Sequence, residues 1–172
     1  NPYFLSEGNK ENLSFVFEIL KKFNIKKNNF FKILKNFKGL KYRQQIIYRS
    51  KNLTIINDSK ATSYSSSVSI LKSLSNVYWI VGGLAKKGDK FLLSKKYCKT
   101  FKAYIFGKNK NLFTKQLKNK MNCQNFTDLS FLLKKVLLDI KKAKNTKHKT
   151  ILFSPAAASF DNFKNFEDRG KK

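Results

Sequence analysis

Short apolar runs alternate with amphipathic stretches along most of this chain, and that alternation limits its fold more than any other feature. Leu53-Thr54-Ile55-Ile56-Asn57, Val77-Tyr78-Trp79-Ile80-Val81, Lys102-Ala103-Tyr104-Ile105-Phe106 and Thr150-Ile151-Leu152-Phe153 are rich in β-branched and aromatic side chains. They read as strands buried on both faces. Met121–Phe126 reads as a further short strand. Between them the spacing predicts a helix over 65–74, with Val68, Leu71 and Leu74 on one face, a second over 109–119 and a third over 128–142. The third has the cleanest periodicity, in Leu129, Leu132, Leu133, Val136, Leu137 and Ile140. Residues 89–99 are expected to form a helix of weaker periodicity. The expected fold is therefore α/β: a Rossmann-like three-layer domain with a mostly parallel sheet covered on both faces. The sequence contains no internal repeat.

The first forty residues follow a different pattern. Leu13, Val16, Phe17, Leu20 and Phe23 fall at helical spacing over 10–23, with Lys21 and Lys22 at the end where cations suit the helix dipole. Phe30, Ile33, Leu34 and Phe37 repeat the pattern over 29–37, with Asn28 or Asn29 as the expected cap. Gly39 marks a hinge or linker near residues 38–42. A chain of 172 residues suits one domain plus a remnant of another. It opens on Asn1-Pro2-Tyr3-Phe4, without a Met, and is expected to be a fragment.

The formal net charge of +27 invites a nucleic-acid partner. Yet of 37 basic residues only Arg43, Arg49 and Arg169 are arginine, and Lys, Asn, Phe and Ile are abundant throughout. That is the imprint of an AT-rich genome. Surfaces that read phosphates and bases favour the planar fork of arginine. No specific nucleic acid is expected, although the aromatic and lysine-rich run from Lys26 to Arg43 keeps a basic binding module as an alternative. Cys98 and Cys123 lack CxxC spacing and read as free thiols of a reducing compartment, hence a cytoplasmic protein. His148, in the polar run 144–149, is the only histidine, so a Ser-His-Asp triad or a His-rich metal site is not expected. No apolar run approaches the ~20 residues of a membrane span, and no membrane partner is expected.

In a parallel sheet ligands gather beyond the carboxyl ends of the strands. Three loops there carry chemistry. Asp58-Ser59-Lys60-Ala61-Thr62 packs a carboxylate, two hydroxyls and an ammonium into five residues. A helix cap accounts for one of these residues; a polar cradle, with Asp58 on a ribose hydroxyl or a metal-bound water, accounts for the set. Gly82-Gly83-Leu84-Ala85-Lys86 permits a tight turn, either as a plain connection or as a close approach to a ligand that Lys86 would meet. Neither GxGxxG nor GxxxxGK[ST] occurs in the chain. In Ser154–Arg169, Phe160, Phe163 and Phe166 recur every three residues, as on a packed helix face. Ser159 at the start of that helix would bind an anion, and Arg169 would pair with Glu167, Asp168 or Asp161.

These strings, Asn57-Asp58-Ser59-Lys60-Ala61-Thr62, Gly82-Gly83-x-x-Lys86 and Ser154-Pro155-Ala156-x-Ala158-Ser159-Phe160-Asp161-x-Phe163-Lys164-Asn165-Phe166-Glu167-x-Arg169-Gly170, resemble the C-terminal domain of the Mur ligases over about residues 40–170. They look most like the D-glutamate-adding branch; other Mur ligases and folylpolyglutamate synthase are the alternatives. Upstream, Gly8-Asn9-Lys10-Glu11-Asn12 is similar to the His-Asn-x-x-Asn segment that closes the family's central ATPase domain, with Gly8 in place of the histidine. Tyr42-Arg43 stands where the family has His-Arg. The resemblance implies residues 1–39 as the end of a central ATPase domain and 40–172 as the amino-acid-binding domain. It implies an ATP-dependent ligase that joins D-glutamate to UDP-N-acetylmuramoyl-L-alanine through an acyl phosphate, with ATP and Mg2+ in the intact enzyme and neither bound by the fragment alone. The phosphate loop and the metal ligands would lie in the central domain, which with the N-terminal domain would be this chain's partner in the enzyme, so no metal ligand is expected here and the fragment alone is expected to be inactive. Asn9, Asn12, Arg43 and Asp58 would meet ATP. Lys60, Thr62, Lys86, Ser159 and Phe166, the last through its backbone, would meet D-glutamate, with Lys60 and Lys86 also catalytic.

Overall fold

The computed structural model describes residues 1–143 and 147–172; the Lys144–Thr146 part of the run before His148 lies outside them. A 3-10 turn (Pro2–Leu5) and two helices, α1 (Glu7–Lys22) and α2 (Lys27–Asn36), come first. The sheet strands follow as β1 (Gln45–Arg49), β2 (Leu53–Asn57), β3 (Val77–Gly82), β4 (Lys102–Phe106), β5 (Asn122–Asn125) and β6 (Lys149–Phe153). Helices α3 (Tyr64–Leu71), α4 (Lys110–Leu117), α5 (Leu129–Lys142) and α6 (Phe166–Lys171) lie between or after them.

The six strands are ordered β1-β2-β6-β3-β4-β5. All neighbours run parallel except β1, which pairs antiparallel with β2 through an irregularity between Ile46 and Tyr48. The fold is thus the expected Rossmann-like α/β arrangement, with one antiparallel edge added. Because successive strand residues face opposite sides, each central strand feeds two cores. Trp79, Val81, Ile105 and Leu152 pack with Tyr64, Leu71, Phe113 and Leu117 of α3 and α4. Tyr78, Ile80, Tyr104 and Ile151 pack on the other face with Leu132 and Val136 of α5. Asp128 caps α5 by accepting the Ser130 and Phe131 N–H groups.

Three expectations change, and α1 packs less than its periodicity suggests. Residues 89–99 form no helix: Phe91 and Leu93 are buried while Leu92 between them is 82% exposed, the two-residue period of extended chain. The Phe91 N–H donates to Gln116, and Lys120 Nζ donates to the Phe91 and Leu93 carbonyls, so side chains satisfy the backbone that a helix would satisfy itself. No helix starts at Ser159; its carbonyl accepts the Asn162 and Phe163 N–H groups in a turn, and the helix begins at Phe166 with Asn165 as its cap. Helix α2 starts after Lys26 without a side-chain cap, not at Asn28 or Asn29. No residue of α1 is buried: Phe15, Val16, Ile19 and Phe23 face outward, and Phe17 meets the Phe30 ring at 5.6 Å.

Candidate functional site

Strand β6 lies between β2 and β3, and all three run in the same direction. The loops that follow them therefore emerge side by side. They are also knitted together. The Asp58 N–H donates to the Phe153 carbonyl (2.7 Å) and the Gly82 N–H to the Pro155 carbonyl (2.9 Å). Leu84 and Ala158 exchange backbone hydrogen bonds as an isolated antiparallel bridge. This edge carries Lys60 and Thr62 after β2, Lys86 after β3 and Ser159 after β6.

Asp58 forms the floor of a cleft of about 330 Å3 that Asn9, Asn12, Arg43 and Lys60 also line. Asn9 and Asn12 come from α1, Arg43 from the approach to β1, and Asp58 and Lys60 from the tip of β2, so segments distant in sequence converge on one cavity. The Asn9 amide is already employed, donating to the Tyr3 carbonyl (2.7 Å) and to Gln44 Oε1 (3.0 Å). Gln44 in turn gives its N–H to Asp58 Oδ1 (3.1 Å). The Ser154 hydroxyl donates to Asp58 Oδ2 (2.8 Å) and lies 2.7 Å from the Ser67 hydroxyl. The Ser154 carbonyl accepts from Trp79 Nε1 (2.8 Å). Burial pushes the Asp58 carboxyl up to about 7, against the Ser154 and Gln44 donors and the Arg43 charge, which all pull it down.

Lys60 sits at the edge of this cleft with its ammonium 3.8 Å from the centre of the Phe166 ring. A cation held over an aromatic face is stabilised by the ring quadrupole. The Phe166 carbonyl accepts the Ser59 hydroxyl (2.7 Å), so here the ring of Phe166 faces Lys60 while its carbonyl is engaged elsewhere. Thr62 and Lys86 are exposed, and Ser159 is buried. The cap of α3 is Ser63, whose hydroxyl accepts the Ser66 N–H, so none of Asp58, Ser59 and Thr62 serves that purpose. Gly82 is needed for chain packing: at φ +128°, a side chain there would run into the backbone of Phe106 at 2.0 Å. Phe160 is exposed, Phe163 packs under the sheet and Phe166 meets Tyr42 edge-on. Arg169 makes no ion pair within 4.0 Å among the described residues; it donates instead to Ser59 and Ala157.

Gln44 and Ser154 were absent from the expected site, and Ser59 stood in it only as a member of the polar cradle. Ser59 and Ser154 stand inside the strings quoted above, so a reading of those loops residue by residue would have found them. Gln44 carries no sequence signal; its left-handed backbone (φ 47°) and its contact with Asp58 exist only in the fold.

No protein-family model matches the chain. Curated relatives do. A UDP-N-acetylmuramoylalanine–D-glutamate ligase of Wolbachia pipientis wMel is 35% identical over 168 residues, covering 95% of this chain and 32% of that protein. Ligases of the same name from Rickettsia felis and Francisella philomiragia are 33% and 34% identical, over 95% and 96% of this chain and 36% and 40% of theirs. This chain is a relative of the Mur ligases. It spans about a third of the length of the curated relatives it matches. Both departures from the Mur ligase pattern have local accommodations. A side chain at Gly8 would meet Ser69 Oγ at 2.9 Å, where α1 crosses α3. The Tyr42 ring packs against Gly170 and Phe166, and its carbonyl accepts the Lys60 N–H (3.0 Å).

Proposed function

We propose that this chain is the amino-acid-binding part of an ATP-dependent amide ligase of peptidoglycan synthesis, a cytoplasmic enzyme that joins D-glutamate to UDP-N-acetylmuramoyl-L-alanine. Residues 1–39 would close its central ATPase domain and 40–172 form its C-terminal domain. In that reaction ATP phosphorylates the alanyl carboxylate, releasing ADP. The D-glutamate amine then attacks the acyl carbon, the C–N bond forms as the C–O bond to phosphate breaks, and the amine loses a proton. The observation that carries this reading is the convergence of Asn9, Asn12, Arg43, Asp58 and Lys60 on one cleft beside the strand tips that bear Thr62, Lys86 and Ser159.

The chemistry of these residues suits the roles. Arg43 offers a cation to phosphate oxygens, and Asn12, exposed on the same cleft, offers an amide. D-glutamate has two carboxylates, and Lys60, Lys86 and the Thr62 and Ser159 hydroxyls are donors of matching number. An ammonium near the acyl phosphate offsets charge as the tetrahedral state forms. Among the described residues no group of three His, Cys, Asp or Glu side chains is placed to hold a metal. The Mg2+ that accompanies ATP would be held by residues of the intact enzyme outside this chain. Among the described residues no helix is long and apolar enough to cross a membrane.

NMR titration of the intact ligase that carries this chain, 15N-labelled, tests this. ATP should shift the amides of Asn12, Arg43 and Asp58. D-glutamate should shift Lys60, Thr62, Lys86 and Ser159, while L-glutamate leaves them in place. The chain alone should form no amide bond from ATP, since it has no phosphate loop. Indifference of these amides to both ligands, or a preference for another amino acid, would overturn the assignment.

A further inference from the structure

Arg169 is the most deeply buried charged side chain among the described residues, 1% exposed. All three of its nitrogens are employed, and none of them on a carboxylate. Nε donates to Ser59 Oγ (3.2 Å), Nη2 to the Ser59 carbonyl (2.7 Å) and Nη1 to the Ala157 carbonyl (2.9 Å). The Ser59 hydroxyl in turn donates a hydrogen bond to the Phe166 carbonyl (2.7 Å), closing a ring of contacts from α6 back to the tip of β2. Burial lowers the guanidinium to about 10, and Asp161 nearby pulls it up, so it stays charged at neutral pH. A buried cation that meets only neutral groups is costly to keep. What it joins is specific: Ser59 directly precedes Lys60, and Ala157 lies two residues before Ser159.

We propose that Arg169 is a positioning residue, whose guanidinium holds the Lys60–Thr62 loop and the Ala157–Ser159 loop at the spacing that the amino-acid ligand needs. This role rests on the ligase reading above. The rigid fork of arginine is the reason for the residue type. Three donors in one plane fix two carbonyls and a hydroxyl at once, whereas a lysine ammonium keeps the charge but has no such fork. The ring contact of Lys60 with Phe166 follows from the same arrangement, because Ser59 ties the Phe166 backbone to the loop that carries Lys60.

Two measurements test this, each made on wild type, Arg169→Lys and Ser59→Ala. The first is amide hydrogen exchange in the full chain. The Ser59, Ala61 and Ala158 N–H groups are hydrogen-bonded, to Asn57 Oδ1, the Asp58 carbonyl and the Leu84 carbonyl. Their exchange should accelerate about tenfold or more in Arg169→Lys, with Ile80 and Ile105 in the central strands unchanged. Ser59→Ala removes only the hydroxyl link and should move the same amides less. The second is affinity, measured in the intact ligase that carries this chain: displacement of the loops that loses the equivalent of one charge-assisted hydrogen bond to the ligand predicts D-glutamate binding weakened about 10- to 150-fold in Arg169→Lys, with ATP binding within twofold of wild type. Unchanged loop amides overturn the proposal. So does acceleration across the whole sheet together with equal weakening for both ligands, which would make Arg169 a general core residue. Loosened loops in a chain whose wild type ignores D-glutamate would leave the clamp standing and remove the assigned substrate.

Discussion

Asp58 ties the stability of this protein to pH in the direction opposite to most acidic residues. Its carboxyl is 5% exposed, and burial raises its pKa from 3.8 to about 7 despite the opposing donors. In the unfolded chain it titrates near the ordinary value. Between about pH 4 and pH 7 the folded state therefore keeps a proton that the unfolded state has released, and stability falls as pH rises through that window. A shift of roughly three units, at about 1.4 kcal/mol per unit, corresponds to a loss of about 4 kcal/mol once the group is ionised. Asp58→Asn abolishes this titration at a fixed cost. The Ser154 hydroxyl and the Gln44 N–H converge on different carboxyl oxygens, and an amide can accept only one of them, a loss of about 1–3 kcal/mol. Urea unfolding between pH 4.5 and 8.5, followed by the fluorescence of the buried Trp79, is the assay. The variant should be the less stable protein at the acid end and the more stable one above about pH 7. Parallel stability curves for the two proteins would refute the reasoning, as would a wild type that gains stability relative to the variant as pH rises.

Three further outcomes follow from the same geometry. In the ligase that carries this chain, Lys86→Ala should raise the KM for D-glutamate about 10- to 150-fold with little change for ATP, and Asp58→Ala should show the reverse bias; equal effects on both substrates would displace Lys86 from the amino-acid site. Leu132→Ala, at a fully buried position between α5 and the sheet, should lower unfolding free energy by about 2–5 kcal/mol in urea without changing the denaturant slope. Binding to RNA or DNA in gel-shift assays should vanish by ~200 mM salt, because lysine-rich attraction is ion exchange; a complex that survives would restore a nucleic-acid function.

The central strands and their helices were legible because their side chains obey local periods. A strand buried on both faces must be apolar throughout, as Val77–Gly82 is, and α5 repeats its leucines every three or four residues. Strand β1 escaped notice because an edge strand with three exposed residues needs no continuous apolar run. The supposed helix at 89–99 failed because Gln116 and Lys120, distant in sequence, take over its backbone groups. Lys60, Thr62, Lys86 and Ser159 were placed at strand ends from the sequence, and those ends do lie on one edge of the sheet. That Asn9, Asn12, Arg43 and Asp58 share a single cleft depends on how α1 lies against the tip of β2, a matter of packing between segments.

Local chemistry, then, decided which residues form strands and helices, and which loops hold clustered donors. Each of those properties is set by neighbours along the chain. The tertiary structure alone decided that β6 inserts between β2 and β3, that Asp58 loses its solvent and gains Ser154 and Gln44, and that Arg169 spends its charge on carbonyls rather than on Glu167 or Asp168. Burial and long-range pairing set those outcomes, because desolvation and hydrogen-bond geometry depend on which distant groups arrive at the same place.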